Sequence, residues 1–530
     1  MKGEQNMFMN NLKETLNEEF NTSVTENGAL GYKTSGKELL DINFSVSSMR
    51  NMNEIDIVDK FVKAFYEDKL LAVKWLFYAR DVREGIGERR LFRICLRYLA
   101  AQHPEIAEAV IPLVPAYGRW DDLWCLLDTD LKVDVLALVG NQLLDDMKGC
   151  IKGEPISLLG KWLPSINTSS EETKRLARII INGLGFKSEK QYRQILSKLR
   201  AYLKVVEVDI SAKHWDQIDY SAVPSRANLI YNGAFLKNDE ERRREYLEAL
   251  QKGETKINAG VLFPHDIVNK YGLRPGSEDT TLEELWKALP DYVKGVGNTI
   301  CVADGSGSMD WTNLNGTGIT ALKVANALAI YFSERSSGQF KDQYITFSEN
   351  PRIVDFSKAK NLKEKLEIAA RYNECSNTNI EAVFDLILTT AVKKRMAQDE
   401  LPQNILILSD MEFDACAETT GYQEVYTDWF GREQIRNVSG KPDEKLFQTF
   451  AKRYAEHGYK LPRLVFWNIC GRTGTIPVKE NDLGVALVSG FSPAIAKMVL
   501  SNSTDPFKCL LEQLNTERYK PVELAVQLVL

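Results

Sequence analysis

Asp304, Ser306 and Ser308 occupy alternate positions in the stretch Ile300-Cys301-Val302-Ala303-Asp304-Gly305-Ser306-Gly307-Ser308-Met309. The glycines between them leave the backbone free to turn three oxygens towards one point. Three hard oxygen donors suit Mg²⁺ or Mn²⁺, or the larger Ca²⁺. The four apolar residues ahead of them read as a buried strand leaving a parallel sheet. Two further donors follow in order. Thr378 stands in Ser376-Asn377-Thr378-Asn379, at the head of an amphipathic run over 380–392, and Asp410 follows Ser409 at the end of a second apolar strand, Ile405-Leu406-Ile407-Leu408. In a parallel sheet with helices between strands, all three loops emerge at the carboxyl edge, where ligands bind. Single Ser, Thr and Asp residues after strands also cap helices and form turns, so the reading rests on five donors occurring together in order.

A second set mixes cations with aromatic faces: Lys161, Trp162, Lys187, Lys190, Tyr192, Arg193, Lys198 and Arg200. That combination can hold a phosphate backbone and stack unpaired bases, which makes these residues candidates for RNA contact. The net charge is −6, which disfavours indiscriminate nucleic-acid binding, yet residues 151–213 carry twelve Lys and Arg against six Asp and Glu. Arg193 and Arg200, seven apart, are expected on one helical face. The competing reading is a solvated helix surface with Trp162 and Tyr192 half buried.

Other chemistries find little support. The eight cysteines form no CxxC pair, and none of the four histidines pairs with a nearby Cys, Glu or His, which disfavours zinc hydrolysis and Ser-His-Asp catalysis. No apolar run reaches the roughly 18 residues of a membrane span, and residues 1–21 lack the apolar core of a signal peptide, so no membrane partner and a cytoplasmic location are expected. Arg80-Asp81-x-Arg83-x-Gly85-x-Gly87-Glu88-Arg89 superficially suggests a phosphate loop. It follows no strand and lacks a GK[ST] ending, so it reads as an inter-helix turn pinned by Arg–Asp pairs.

The elements that must position these residues fall into four parts. Residues 1–53 are polar and irregular and read as a loosely attached arm. Residues 54–296 show helical periodicity, as in Ile55-Val58-Phe61-Val62-Phe65, with no convincing strand; short paired helices of this kind suggest an α-solenoid. Residues 297–505 alternate strands, expected at 299–303, 343–347, 352–355, 404–408, 463–469 and 485–489, with helices. Within them 413–441 lacks periodicity and reads as a long insertion near the metal edge. Residues 506–530 form a tail, ending in an apolar run expected to pack back on the helices.

The order DxSxS, Thr, Asp over residues 298–501 resembles the metal-ion-dependent adhesion site of von Willebrand factor A domains. That resemblance implies that serines and threonine touch the metal, that the aspartates act directly or through water, and that one position stays open for a partner's carboxylate. The residue after the third-motif aspartate is often glycine in that family. Here it is Met411, followed by Glu412 and Asp414, extra carboxylates able to tighten the metal or compete with an acidic ligand. A helical repeat region followed by such a domain is similar to the TROVE architecture of the Ro autoantigen. The GxGER, GRWDD, KWLPS, VPS and SDMEFD motifs match a related bacterial and plant family of unassigned function more closely. These resemblances imply a multidomain chain: an all-α HEAT-like solenoid or ring, then a doubly wound, Rossmann-like α/β von Willebrand A domain. They also imply binding of small structured RNAs and single-stranded RNA ends on the helices, with the metal site apart. A protein-interaction module without nucleic acid is the alternative. A phosphoesterase ranks far lower, because only Glu412 or Asp414 offers itself as the base such chemistry needs.

Overall fold

The computed structural model describes residues 13, 16, 19–273, 276–294, 298–311, 314, 318–347, 351–373, 380–413, 422–427, 433–438, 446–479, 482, 484–498 and 505–530. The chain opens with an antiparallel hairpin of β1 (Thr22–Val24) and β2 (Leu30–Tyr32). Then come β3 (Thr299–Asp304), β4 (Gln343–Phe347), β5 (Arg352–Asp355), β6 (Asn404–Ser409), the hairpin of β7 (Tyr422–Thr427) and β8 (Glu433–Val438), β9 (Arg463–Asn468) and β10 (Val485–Ser489).

Six of these form one sheet in the order β10-β9-β6-β3-β4-β5, parallel except for the antiparallel edge pair β4–β5. From β3 the chain builds outward through β4 and β5 on one side, and from β6 through β9 and β10 on the other. The order therefore reverses between β3 and β6, the crevice position where open parallel sheets bind ligands. Helix Ala321–Arg335 connects β3 to β4 and helix Leu446–Glu456 lies between β6 and β9; the right-handed rule for such crossovers puts the two on opposite faces. Every residue of β3, β6 and β10 is buried, as continuous apolar strands covered on both faces must be.

Between residues 54 and 294 the regular elements among the described residues are all helices, from Glu54–Glu67 and Lys69–Arg80 to Pro264–Tyr271 and Thr280–Lys287. Asn53, Asp68, Ser170, Ser188 and Asp279 each cap a helix by accepting a backbone N–H. Helix Ser225–Asn238 escapes a periodicity search because Ser225, Asn228 and Asn232 are among its buried residues. Residues Trp120–Leu126 form a 3₁₀ turn, and helix Glu189–Tyr202 is followed by the short helix Val206–Ala212. Among the described residues, no helix is long and apolar enough to cross a membrane.

Helices and sheet share one core. A continuous apolar cluster runs from Ala29 to Val526. Helix Ala321–Arg335 is its axle, packed on β3, β4 and β6 and against helix Pro264–Tyr271. Trp286 Nε1 donates to Glu334 (2.7 Å) and Tyr331 donates to the Pro290 carbonyl across the same boundary. A smaller core, built from Val206, Ile218, Tyr220, Val223, Ala227 and Phe235, meets the main one at the half-buried Tyr246.

The arm is not loose. Leu39, Leu40, Ile42, Phe44, Val46 and Met49 are buried, and helix Glu38–Phe44 lies against β10 and helix Glu54–Glu67. Ser47 N–H donates to Ser489 Oγ (3.0 Å), Ser47 Oγ donates to the Asn468 carbonyl (2.9 Å), and Tyr32 exchanges two backbone bonds of 2.8 Å with Ile476. A polar average conceals this short apolar helix, whose residues can leave water only against another element. At the other end, helices Pro506–Leu514 and Lys520–Gln527 pack on helix Lys69–Arg80. Lys74 Nζ lies 2.7 Å from Glu523 Oε2, and Arg518 Nε 2.8 Å from Asp81 Oδ2.

Candidate functional site: an acid–hydroxyl cluster at the sheet's reversal point

Strand β3 ends on Asp304, and the chain then turns into the short helix Gly307–Trp311. Asp304 Oδ1 accepts the Ser306 N–H (2.9 Å). Ser306 Oγ lies 3.0 Å from Ser308 Oγ, and Ser308 Oγ donates to Asp410 Oδ2 (2.8 Å). Four of the five expected donors thus meet at one point; Thr378 lies outside the described residues. Asp304 is 1% exposed and Asp410 fully buried. Burial, and next the Asp410 charge, raises the Asp304 carboxyl well above the ordinary aspartate range. Asp410 is also raised by burial, against the opposing Ser308 hydrogen bond and the Arg472 guanidinium.

Ser409 is a member that sequence reasoning missed. Its hydroxyl donates to Asp304 Oδ2 (2.7 Å) and accepts the Met411 N–H (3.0 Å). Ala303 pairs with Leu408, so the next residues on the two strands, Asp304 and Ser409, stand abreast. Only that register signals the contact.

Met411 holds a left-handed backbone, φ +64°, with its side chain 3% exposed. That is the conformation glycine adopts without strain, and for a bulky side chain it costs backbone energy. Glu412 is not an extra carboxylate facing the cluster. Its Oε1 accepts the N–H groups of Arg472 (2.7 Å) and Thr473 (2.8 Å), while Oε2 accepts the Glu26 N–H (2.9 Å). Glu412 thereby satisfies partly buried backbone donors from the arm and from the loop after β9. Asp414 lies outside the described residues.

Two hydroxyls and two buried carboxylates form a hard-oxygen donor set. The cation beside them is Arg472, whose Nη2 is 3.5 Å from Asp410 Oδ2 and 2.6 Å from Glu26 Oε2. Two carboxylates this buried call for more positive charge than one guanidinium at that distance, and the set fits a small divalent cation. Among the described residues, no cluster of three or more His, Cys, Asp or Glu is placed to hold a metal, so the hydroxyls are essential to that fit.

The expected RNA set divides in two. Tyr192 is fully buried and its hydroxyl donates to the Pro164 carbonyl (2.8 Å), so it presents no face to a base. Arg200 donates to the carbonyls of Gly160 (3.0 Å) and Leu163 (2.7 Å) and to Ser165 Oγ (2.9 Å), pinning the KWLPS turn. Trp162 is half-buried, with the Arg119 guanidinium 3.8 Å from its ring centre, and Lys161 lies 3.9 Å from Glu207. Lys187, Lys190, Arg193 and Lys198 are exposed. Arg193 and Arg200 therefore do not share a solvent face: one is in water and the other is engaged by carbonyls.

The glycine-rich motif is architectural. A Cβ on Gly85 would lie 2.0 Å from the Tyr78 carbonyl oxygen. Asp122 receives Arg80 (2.6 Å) and Arg93 (2.8 Å), and Glu88 receives Arg50 Nε (2.8 Å).

Topology and site define a class: a helical region fused to a six-stranded α/β sheet carrying an acid–hydroxyl cluster at its reversal point. The chain belongs to the family described as Domain of unknown function (DUF2828), whose model matches residues 25–129 and 128–297, just over half of the 530. A second model, Domain of unknown function (DUF7788), matches residues 298–520. "Uncharacterized protein L728" of Acanthamoeba polyphaga mimivirus is 29% identical over 541 residues, covering 95% of this chain and 89% of that protein. The crystal structure of the Deinococcus radiodurans RO (RSR) protein aligns at a TM-score of 0.38 and 13% identity, over 85% of this chain and 91% of that one.

Proposed function

We propose that this chain is a binding scaffold, not an enzyme, and that its C-terminal part is a von Willebrand factor A-like domain. On this reading Asp304, Ser306, Ser308 and Asp410 hold Mg²⁺, or Mn²⁺ or Ca²⁺, with Thr378 as a further hydroxyl. The observation that carries it is the contact chain from Ser306 Oγ through Ser308 Oγ to Asp410 Oδ2, beside a buried Asp304 at the sheet's reversal point. A bound divalent cation supplies a Lewis-acid position that a partner's carboxylate completes. The chain's own groups orient it: Ser409 fixes the Asp304 carboxylate, and Arg472 stands beside Asp410. Calorimetric titration of the metal-stripped full chain with Mn²⁺ tests the reading. One saturable site is expected, lost in Asp304→Ala and weakened at least about tenfold in Ser306→Ala/Ser308→Ala, each variant losing oxygen donors. No saturable binding by the wild type, or unchanged affinity in the double variant, overturns it.

A Ro-like role, in which a HEAT-like helical region binds non-coding or misfolded RNA, is favoured by a separate observation. Lys187, Lys190, Arg193 and Lys198 are exposed, and no ion-pair partner engages them among the described residues. With Tyr192 buried, recognition falls on phosphates more than on bases. Affinity for a single-stranded RNA oligomer is then expected to fall steeply with salt. Replacing all four with alanine lowers the log–log slope by about 0.7 for each phosphate no longer neutralised; a salt-independent affinity, or an unchanged slope, removes the RNA reading.

A further inference from the structure

Beside the acid–hydroxyl cluster, at the carboxyl ends of β6 and β9, lies a recess of about 140 Å³. Four segments remote in sequence wall it: the end of the arm at Phe44 and Ser48, helix Glu54–Glu67 through Lys60, the loop after β6 through Glu412, and the loop after β9 through Arg472 and Thr473. At about 30 Å³ for each water in the liquid, it has the volume of about four to five waters. That admits a phosphate or a small carboxylic acid.

The lining carries two cations, Lys60 and Arg472, and one carboxylate, Glu412. Glu412, the carboxylate in its wall, has both oxygens engaged by the N–H groups of Glu26, Arg472 and Thr473. Lys60 is half-buried and has no carboxylate within ion-pair distance among the described residues. The half-buried Ser48 hydroxyl likewise makes no hydrogen bond among them. Arg472 already reaches Glu26 (2.6 Å) and Asp410 (3.5 Å), leaving its fork one more edge to offer. An ammonium held in a recess without a counter-charge is costly, and a compact oxyanion removes that cost.

We propose that this recess binds a small oxyanion, the carboxylate or phosphate group of a low-molecular-weight ligand, between Lys60, Ser48 and Arg472. The site is separate from the cation cluster and needs no metal. It is tested by calorimetric titration of the full chain in EDTA, with inorganic phosphate in one series and acetate in another. Saturation by phosphate alone assigns a phosphorylated ligand, by acetate alone a carboxylic acid, and by both an oxyanion site of broad tolerance. Lys60→Met is expected to weaken binding about tenfold or more, since it removes a charge-assisted hydrogen bond. Lys60→Arg should retain binding, as should Lys63→Met, whose lysine is exposed and paired with Asp59 (2.9 Å). Should Lys60→Met fail to fold by circular dichroism, Ser48→Ala provides the same comparison with a smaller loss. The proposal is overturned if neither anion saturates the wild type, or if the Lys60 variant, or Ser48→Ala in its place, binds as the wild type does. Because divalent cations are excluded, a failure here leaves the cation reading standing, and a failure there leaves this one.

Discussion

His265 sits 3% exposed, with its ring 5.6 Å from that of Phe263 and 5.3 Å from that of Phe491. Burial, reinforced by Arg50 and Arg226 against Asp266, pushes its pKa down from 6.5 to about 4. Between those values the unfolded chain binds the proton and the folded chain does not, so stability is full above pH 6.5 and falls as the pH drops towards 4. At about 1.4 kcal/mol per pH unit, His265 costs the fold up to about 3 kcal/mol on that limb. Denaturant melts from pH 7 to 4 are expected to show it, and His265→Phe to flatten it; an unchanged acid limb would contradict the assignment. Gly85 offers a steric case. An alanine there collides with the Tyr78 carbonyl, so Gly85→Ala is expected to destabilise by about 3 kcal/mol in urea melts. A neutral result would return the motif to the candidates for phosphate binding. Neither effect is legible in sequence, since a glycine spaced for a phosphate loop looks the same as one crowded by a neighbouring turn.

The element scale is where the RDxR and GRWDD motifs act as one unit. Helix Lys69–Arg80 brings Arg80, helix Arg89–Gln102 brings Arg93, and the 3₁₀ turn Trp120–Leu126 brings the Asp122 that both engage. Arg80 and Asp122 have side chains 2% and 0% exposed. Removing one member leaves the other buried without its charge partner, so Asp122→Ala should cost about 3–5 kcal/mol. Asp121, with a side chain 19% exposed beside Arg119, should cost about 1 kcal/mol. Equal losses in thermal or denaturant melts would refute the interlock. The sequence suggested Arg–Asp pinning but not which arginine meets which aspartate, because the partners lie about forty residues apart. Helix Glu189–Tyr202 makes the same point differently. Its periodicity is legible, whereas the burial of Tyr192 depends on the KWLPS turn packed against it.

For the whole molecule, the uninterrupted core implies one cooperative unit. Calorimetry of the full chain is expected to give a single transition; two separated transitions would mean that helices and sheet are independently stable. Deleting residues 506–530 strips Cys509, Leu510, Leu514, Tyr519, Val522 and Val526, all buried, from the junction. The product is expected to aggregate on size exclusion, because the apolar surface left behind is shared by both parts. A monomeric truncation with an unchanged melting temperature would show the tail to be dispensable.

Composition and periodicity by themselves located the six strands of the main sheet to within a residue at each end and put Asp304, Ser306, Ser308 and Asp410 at one edge. Long apolar runs ending in polar tips can do that, because burial on both faces leaves no other pattern. Tertiary structure decided the remainder: the strand order that sets β3 beside β6, the register that sets Ser409 against Asp304, the turn of Glu412 towards the arm and the loop after β9, and the docking of the arm over the sheet's carboxyl edge. Each joins residues well separated along the chain, whereas hydrophobic periodicity carries information only within an element.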